Sequence, residues 1–196
     1  MKRKAFSGRG GRAAVLPLLL ALLLFLPACG KKPTAEELAP RVRELCEQSF
    51  ILNEIYYGAG LPAVASVTGT DYCYVDIDKT DYYTADLIRE ATEAVYTADY
   101  AARLEETAFT GVTNDVGALL ARFTEDGDGN LMQYKDTESI LPGRRAFLYE
   151  TMKLEKATEN EARIRLSATL DGAPDDDAVL TLKKENGVWL LDTPTY

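Results

Sequence analysis

Among side chains able to do chemistry, this sequence offers carboxylates, tyrosines and three cysteines, and it contains no histidine. Without imidazole there is no Ser-His-Asp or Cys-His nucleophile, no His-ligated zinc and no ordinary near-neutral general base. Three thiols cannot complete a four-cysteine zinc site. Neither a Gly-rich phosphate loop nor a G-x-S-x-G elbow occurs. The 31 acidic residues leave a carboxylate pair as the open catalytic route. Such a pair needs two carboxyl groups about 5–10 Å apart, one with a raised pKa, and spacing along the chain does not select them. No catalytic residue and no cofactor is assigned.

Asp126-Gly127-Asp128-Gly129-Asn130 places oxygen side chains at positions 1, 3 and 5 of a calcium loop. Position 6 is Leu131 where an EF-hand has glycine, and position 12 is Thr137. A polar hairpin turn explains the run better, so Asp126, Asp128 and Asn130 remain a weak metal candidate. Eight of the eleven tyrosines, Tyr56, Tyr57, Tyr72, Tyr74, Tyr82, Tyr83, Tyr96 and Tyr100, crowd one half of the chain. A flat apolar ring with a hydroxyl suits sugar or peptide binding; the plainer use is packing at the core margin with the hydroxyl wet. Tyr72, Tyr74, Tyr100 and Trp189 are the candidate ligand-binding residues. Trp189 lies in a segment apolar on both faces, which fits either a pocket wall or a strand covered on both sides.

The first 28 residues read as an address. Lys2, Arg3, Lys4, Arg9 and Arg12 precede an apolar run from Ala13 to Leu26, the charged and hydrophobic regions of a secretory signal. The run is shorter than the ~20 residues that span a bilayer. Leu26-Pro27-Ala28-Cys29-Gly30 follows and resembles a lipobox, with Cys29 as the lipid-modified residue; Pro27 is unusual at its position. An ordinary cleaved signal with an incidental Cys29 is the plainer alternative. Residues 29–33 form a short linker to the membrane, and residues 34–196 a single domain. Removing residues 1–28 leaves 17 of the 22 basic residues against 31 acidic ones, a formal charge of −14. That balance argues against nucleic acid, whose binding relies on clustered Lys and Arg. The expected partners are the membrane, through the lipid, and an envelope protein or cell-wall fragment. Cys46 and Cys73 are left as either a disulfide, which an extracytoplasmic location permits, or two free thiols packed as small hydrophobes.

The elements behind these residues follow from periodicity. Thr34-Ala35-Glu36-Glu37 is a capping box. Leu38, Val42, Leu45, Ser49, Leu52 and Tyr56 continue it as an amphipathic helix. Tyr72 to Ile77 alternates as a strand, and Thr84 to Tyr96 and Asp99 to Phe109 read as helices. Beyond residue 116 the period becomes two. Ala118 to Thr124 and Leu131 to Lys135 form a hairpin, and Phe147 to Lys156 a strand. Ala162 to Leu170 alternates most clearly. Gly172 to Asp177 reads as a turn, Ala178 to Lys184 pairs back, and Asn186-Gly187 is a hairpin signal leading into Val188 to Asp192. Helices first and an antiparallel meander afterwards predict an α+β domain, its helices on one sheet face.

Lys183-Lys184-Glu185-Asn186-Gly187-Val188-Trp189-Leu190-Leu191-Asp192 after such helices resembles the close of an NTF2-like or cystatin-like domain. Thr92 to Tyr100, TEAVYTADY, and Trp189 to Tyr196, WLLDTPTY, resemble uncharacterised lipoproteins of clostridial-type bacteria. In size, compartment and helix-then-sheet order the chain is also similar to secreted inhibitors of cell-wall DL-endopeptidases. The resemblance implies fold and location; the absence of histidine, the small size and the lack of a catalytic motif favour a membrane-anchored, non-catalytic binding module for a protein, peptide or cell-wall component. A small carboxylate-dependent enzyme or small-molecule binder using an NTF2-like cavity is the alternative.

Overall fold

The computed structural model describes residues 31–113, 119–136 and 138–196. The chain divides into two units, Met1–Lys31 and Lys32–Tyr196. The expected signal segment, the lipobox and Cys29 lie outside the described residues. The second unit is an α+β domain of three helices with two four-stranded antiparallel sheets and a two-stranded ribbon.

Helix α1, Ala35–Tyr56, starts at the expected capping box. The Thr34 hydroxyl accepts from the Glu37 N–H at 3.2 Å, and the Glu37 carboxylate accepts from the Thr34 N–H at 2.8 Å. The stripe from Leu38 to Tyr56 is buried, together with Cys46, Asn53 and Ile55. After Tyr56 the chain folds back over the helix end, Gly60 donating to the Glu54 carbonyl at 3.1 Å. Gly60 has φ 83°, and an added Cβ would collide with the Gln133 amide, so glycine is required there.

The first sheet has the order β1-β2-β6-β5, from β1 (Ala63–Ser66), β2 (Tyr72–Val75), β5 (Phe123–Glu125) and β6 (Leu131–Tyr134). Its β5–β6 hairpin is the one expected around residues 125–130. The strand expected from Ala118 to Thr124 is divided: Leu119–Leu120 is β4, paired with Val112–Thr113, β3, in the separate ribbon. Ala118 lies outside the described residues. Strand β1 carries no alternation in its sequence and is added by pairing alone.

Between the sheets' strands come α2 (Ala85–Val95) and α3 (Ala98–Glu105), the latter continued by a π-helical turn over Glu106–Thr110. Thr84 and Thr97 cap the two helices by accepting from Leu87 and Tyr100 N–H groups.

The second sheet is a meander, β7 (Arg145–Ala157), β8 (Glu161–Leu170), β9 (Ala173–Glu185) and β10 (Val188–Leu191). In β8, Ala162, Ile164, Leu166 and Ala168 are buried while Arg163, Arg165 and Ser167 face outward. Helix α1 packs against β7 and β10, and α2 against α1 and β10. Burying each such Leu or Ile contributes about 1.5–3 kcal/mol. The turn expected over Gly172–Asp177 is shorter than its sequence suggests. Only Asp171 and Gly172, at φ 50° and 82°, turn the chain, and β9 begins at Ala173. Asp175–Asp177 is strand because β10 is too short to cover this end of β9. The carboxylates sit on an open edge, Asp175 paired with Arg145 at 3.0 Å and Asp177 accepting from Ser167 at 3.0 Å.

Burial raises several titrating groups in this core. Desolvation pushes the Cys46 thiol, ordinarily near 9, to about 12, and the Tyr56 and Tyr100 hydroxyls to about 12. The folded state therefore holds protons that the unfolded chain releases, and stability falls as pH rises from about 9 toward 12. Tyrosinate absorbance is expected to rise in step with the loss of circular dichroism over this range. A complete tyrosine titration near pH 10 with the fold intact would contradict it.

Candidate functional site

A half-open trough of about 730 Å³ lies where α1, the α2–α3 corner and the β9–β10 hairpin meet. Its position follows from the Tyr96–Thr97 corner, which docks on β10. The Thr97 N–H donates to the Leu191 carbonyl at 2.9 Å, and the Thr97 hydroxyl donates to Asp192 at 2.7 Å. Asp192 is held below the usual carboxylate range against its burial by Lys183, 2.6 Å away, and by Thr97. Ala94, Ala98, Ala101 and Ala102 line the trough with Val188 and Leu190. Side chains this short leave an aliphatic channel between α3 and β10.

The rim is acidic. Glu44, Glu93, Glu105 and Glu185 line it, opposed by Arg41 alone. That guanidinium is already committed: Nε donates to the Trp189 carbonyl and Nη2 to the Ala94 carbonyl, each at 3.0 Å, and Nη1 lies 2.9 Å from Glu44. Arg41 thus ties α1 to β10 and to the last turn of α2, where the carbonyl dipoles favour a cation. Glu185 accepts from the Ala98 N–H at 3.1 Å. Glu93 is exposed and has no ion pair among the described residues. Partial burial raises the Glu105 carboxyl, the negative charge of Glu93 adds to the rise, and Arg89, 3.8 Å away, opposes it. An aliphatic channel with four carboxylates around it, Glu93 without an ion pair among the described residues, has the shape and charge to take an aliphatic stem that ends in a cation.

The expected binding aromatics are dispersed. Tyr72 and Tyr74 lie on β2 in the first sheet. Tyr72 donates to the Ala121 carbonyl at 2.9 Å, and Tyr74 to Asp126 at 3.1 Å. Tyr100 stacks on Tyr96, ring centroids 4.8 Å apart, and only Tyr96 of the two lines the trough. Trp189 packs against the core beside the buried Leu191, and its neighbours Val188 and Leu190 take the trough side. Of the two readings for this segment, β10 is thus an edge strand with one face in the core and the other on a hollow.

Asp126 is turned inward on its own loop. Its carboxylate accepts from the N–H groups of Asp128 and Asn130 at 2.9 Å, from the Asn130 amide at 2.9 Å and from Tyr74. Those bonds hold its carboxyl down at about 2, and they make the run a carboxylate-bridged hairpin turn. Cys46 and Cys73 are free thiols. Cys46 is in the α1 core against Tyr149, and Cys73 is on β2 with Ser66 3.6 Å away; the bridge between them is not part of this structure.

The charged residues of the trough were not among those singled out in the sequence, and of its lining only Tyr96 belonged to the tyrosine cluster. Arg41, Glu44, Glu93, Glu105 and Glu185 read as solvated surface charge, and only the fold brings them together. The one signal in the sequence was the run of alanines on either side of residues 96–97, Ala94, Ala98, Ala101 and Ala102, whose short side chains leave a shallow wall instead of a packing ridge.

No protein-family model and no curated protein matches the chain.

Proposed function

We propose that this chain is a lipid-anchored, extracytoplasmic binding module whose trough receives a cationic group on an aliphatic stem, carried by a protein, a peptide or a cell-wall peptide. The observation that carries the reading is an aliphatic channel rimmed by four carboxylates, with its single arginine spent on backbone carbonyls and Glu44. Lysine and diamino-acid side chains have that shape and charge. The anchor rests on the basic, apolar and Leu26–Gly30 segments of the leader. Three helices before a closing antiparallel meander support an NTF2-like or cystatin-like domain, and with it a likeness to the wall-endopeptidase inhibitors. The enzymatic alternative would rest on Glu105, whose carboxyl is raised. Its ion pair to Arg89 and its place on an open rim favour binding over proton transfer.

Two measurements test the reading. The Cys29→Ser chain is expected to leave the membrane fraction for the soluble extracytoplasmic fraction; retention in the membrane would remove the lipid anchor. In titration calorimetry with the full chain in neutral detergent, a lysine-bearing wall pentapeptide should bind and its Nε-acetyl form should not. Exposed pairs contribute about 0.2–1 kcal/mol each, so Glu93→Gln with Glu105→Gln should weaken binding about fivefold, and added salt should weaken it further. Equal binding of the acetylated peptide would sink the cationic assignment.

A further inference from the structure

A second surface stands apart from the trough. Among the described residues eight large apolar side chains are exposed, and three of them, Val64, Ile77 and Tyr83, line one hollow of about 640 Å³. Tyr74, Val75 and Leu131 form its apolar base. The hollow adjoins β1, the end strand of the β1-β2-β6-β5 sheet.

A free strand edge presents unpaired N–H and C=O groups, and proteins usually guard such edges with charge, cover or extreme shortness. The other edges here are guarded. Strand β5 has three residues and ends in Glu125. Strand β7 carries Glu150, Lys153, Glu155 and Lys156 with two register breaks. Strand β10 is covered by the Tyr96–Thr97 corner. Strand β1, Ala63-Val64-Ala65-Ser66, is also short and bulged, but it has no charged residue and no strand on its outer side among the described residues. Its pairing places Ala63 opposite Val75 and Ser66 opposite Cys73, so two backbone positions, 64 and 65, stand against the single position of Tyr74. That bulge limits the open edge to a few residues.

The surroundings of the edge are acidic. Asp71, Asp76, Asp78 and Asp81 lie within eleven residues that hold one cation, Lys79. Lys79 is paired with Asp76 at 2.8 Å and is also within the field of Asp78, so the two carboxylates that line the hollow share one cation. Lys135 answers Asp71 at 2.6 Å, which leaves the excess of Asp76 and Asp78 over Lys79, both carboxylates lining the hollow, as the charge that selects a basic partner.

We infer that the free edge of β1 and its adjoining hollow accept a short extended segment of a partner protein, alternating aliphatic and basic residues, as an added strand. Backbone bonds to β1 supply the docking, one aliphatic face meets Val64, Ile77 and Tyr83, and the basic residues answer the acidic surroundings of the edge. Strand addition of this kind takes affinity from main-chain bonds and specificity from alternate side chains.

The probe is a blocked hexapeptide of alternating valine and lysine, added to the full chain in neutral detergent, with backbone amide exchange followed by mass spectrometry. Exchange in residues 62–67 should slow, and Ile77→Asn, a change at a 66 % exposed side chain, should weaken binding about tenfold. A peptide with three valines followed by three lysines has the same charge and composition but no apolar face, and should bind at least tenfold more weakly. An alternating peptide N-methylated on every second residue should also lose binding. Glu93→Gln with Glu105→Gln should leave the affinity unchanged, which separates this surface from the trough. Equal binding of the grouped or N-methylated peptide, or protection outside residues 62–67 alone, would overturn strand addition.

Discussion

Replacing Thr195 with valine is expected to lower the stability of the domain by about 3 kcal/mol, a fall in Tm of roughly 10 °C for a chain of this size. Thr195 is 1 % exposed and sits among α1 and the α2–α3 corner. Its hydroxyl is 2.8 Å from the Ser49 hydroxyl and accepts from the Asn53 amide at 2.8 Å. Ser49 gives its own proton to the Cys46 carbonyl at 2.8 Å, so Thr195 is the donor in the pair with Ser49. The buried Tyr96 hydroxyl is hydrogen-bonded within the same cluster. Valine keeps the shape and removes the bonds that Thr195 makes to Ser49, Asn53 and Tyr96, leaving buried polar groups without those partners at about 1–3 kcal/mol each. Thr195→Ser keeps the hydroxyl and should cost about 1 kcal/mol, the loss of one buried methyl. Urea unfolding checks it: the midpoint should fall with an unchanged slope. A change below about 1 kcal/mol for valine would mean that the cluster is not a closed network.

The second large effect is expected at Arg122. This side chain stands before β5 and reaches the end of α1, Nε donating to the Ile55 carbonyl at 2.7 Å and Nη2 to the Gly58 carbonyl at 2.5 Å. The last carbonyls of a helix have no partner within it and carry its negative dipole end. Arg122 therefore closes α1 and fastens it to the first sheet with one planar fork. Its burial is costly to the charge and pushes the guanidinium down to about 10. Arg122→Met, which keeps the stem but strands both carbonyls, should cost about 2 kcal/mol after allowance for solvent at the partly open side. Arg122→Lys should recover less than half of that, because an ammonium is a single point and cannot span two carbonyls. Amide exchange should accelerate around residues 55–61 while the α1 N-terminus keeps its protection. Unchanged exchange there would show that the turn is held by its own backbone bonds.

Both effects rest on contacts between residues more than sixty positions apart, and neither was legible in the chain. The start and register of α1 were legible, because a capping box and a stripe at three- and four-residue steps are local. So was β8, whose period of two is unbroken from Ala162 to Leu170. The β5–β6 and β9–β10 hairpins were announced by turn residues. Strand β1 was missed because four small residues carry no period and become a strand only when β2 offers its edge. Asp175–Asp177 was read as a turn because three carboxylates disfavour a covered strand; the short β10 leaves that stretch uncovered, and the objection disappears.

The candidate site divides in the same way. Absence of histidine, the acidic balance and the leader pattern are properties of composition and of short segments, so the chain alone determined which chemistries are closed and what kind of address to expect. Helix and strand order followed from hydrophobic period, and with it the α+β class. Which carboxylates share a rim, which tyrosines are spent inside the protein and which face of β10 meets solvent were decided only by tertiary structure. The reason is physical: a surface glutamate has the same local signature wherever it points. Its meaning depends on which cation reaches it: Arg41 is spent on two carbonyls and Glu44, and Glu93 on the same trough has no ion pair among the described residues.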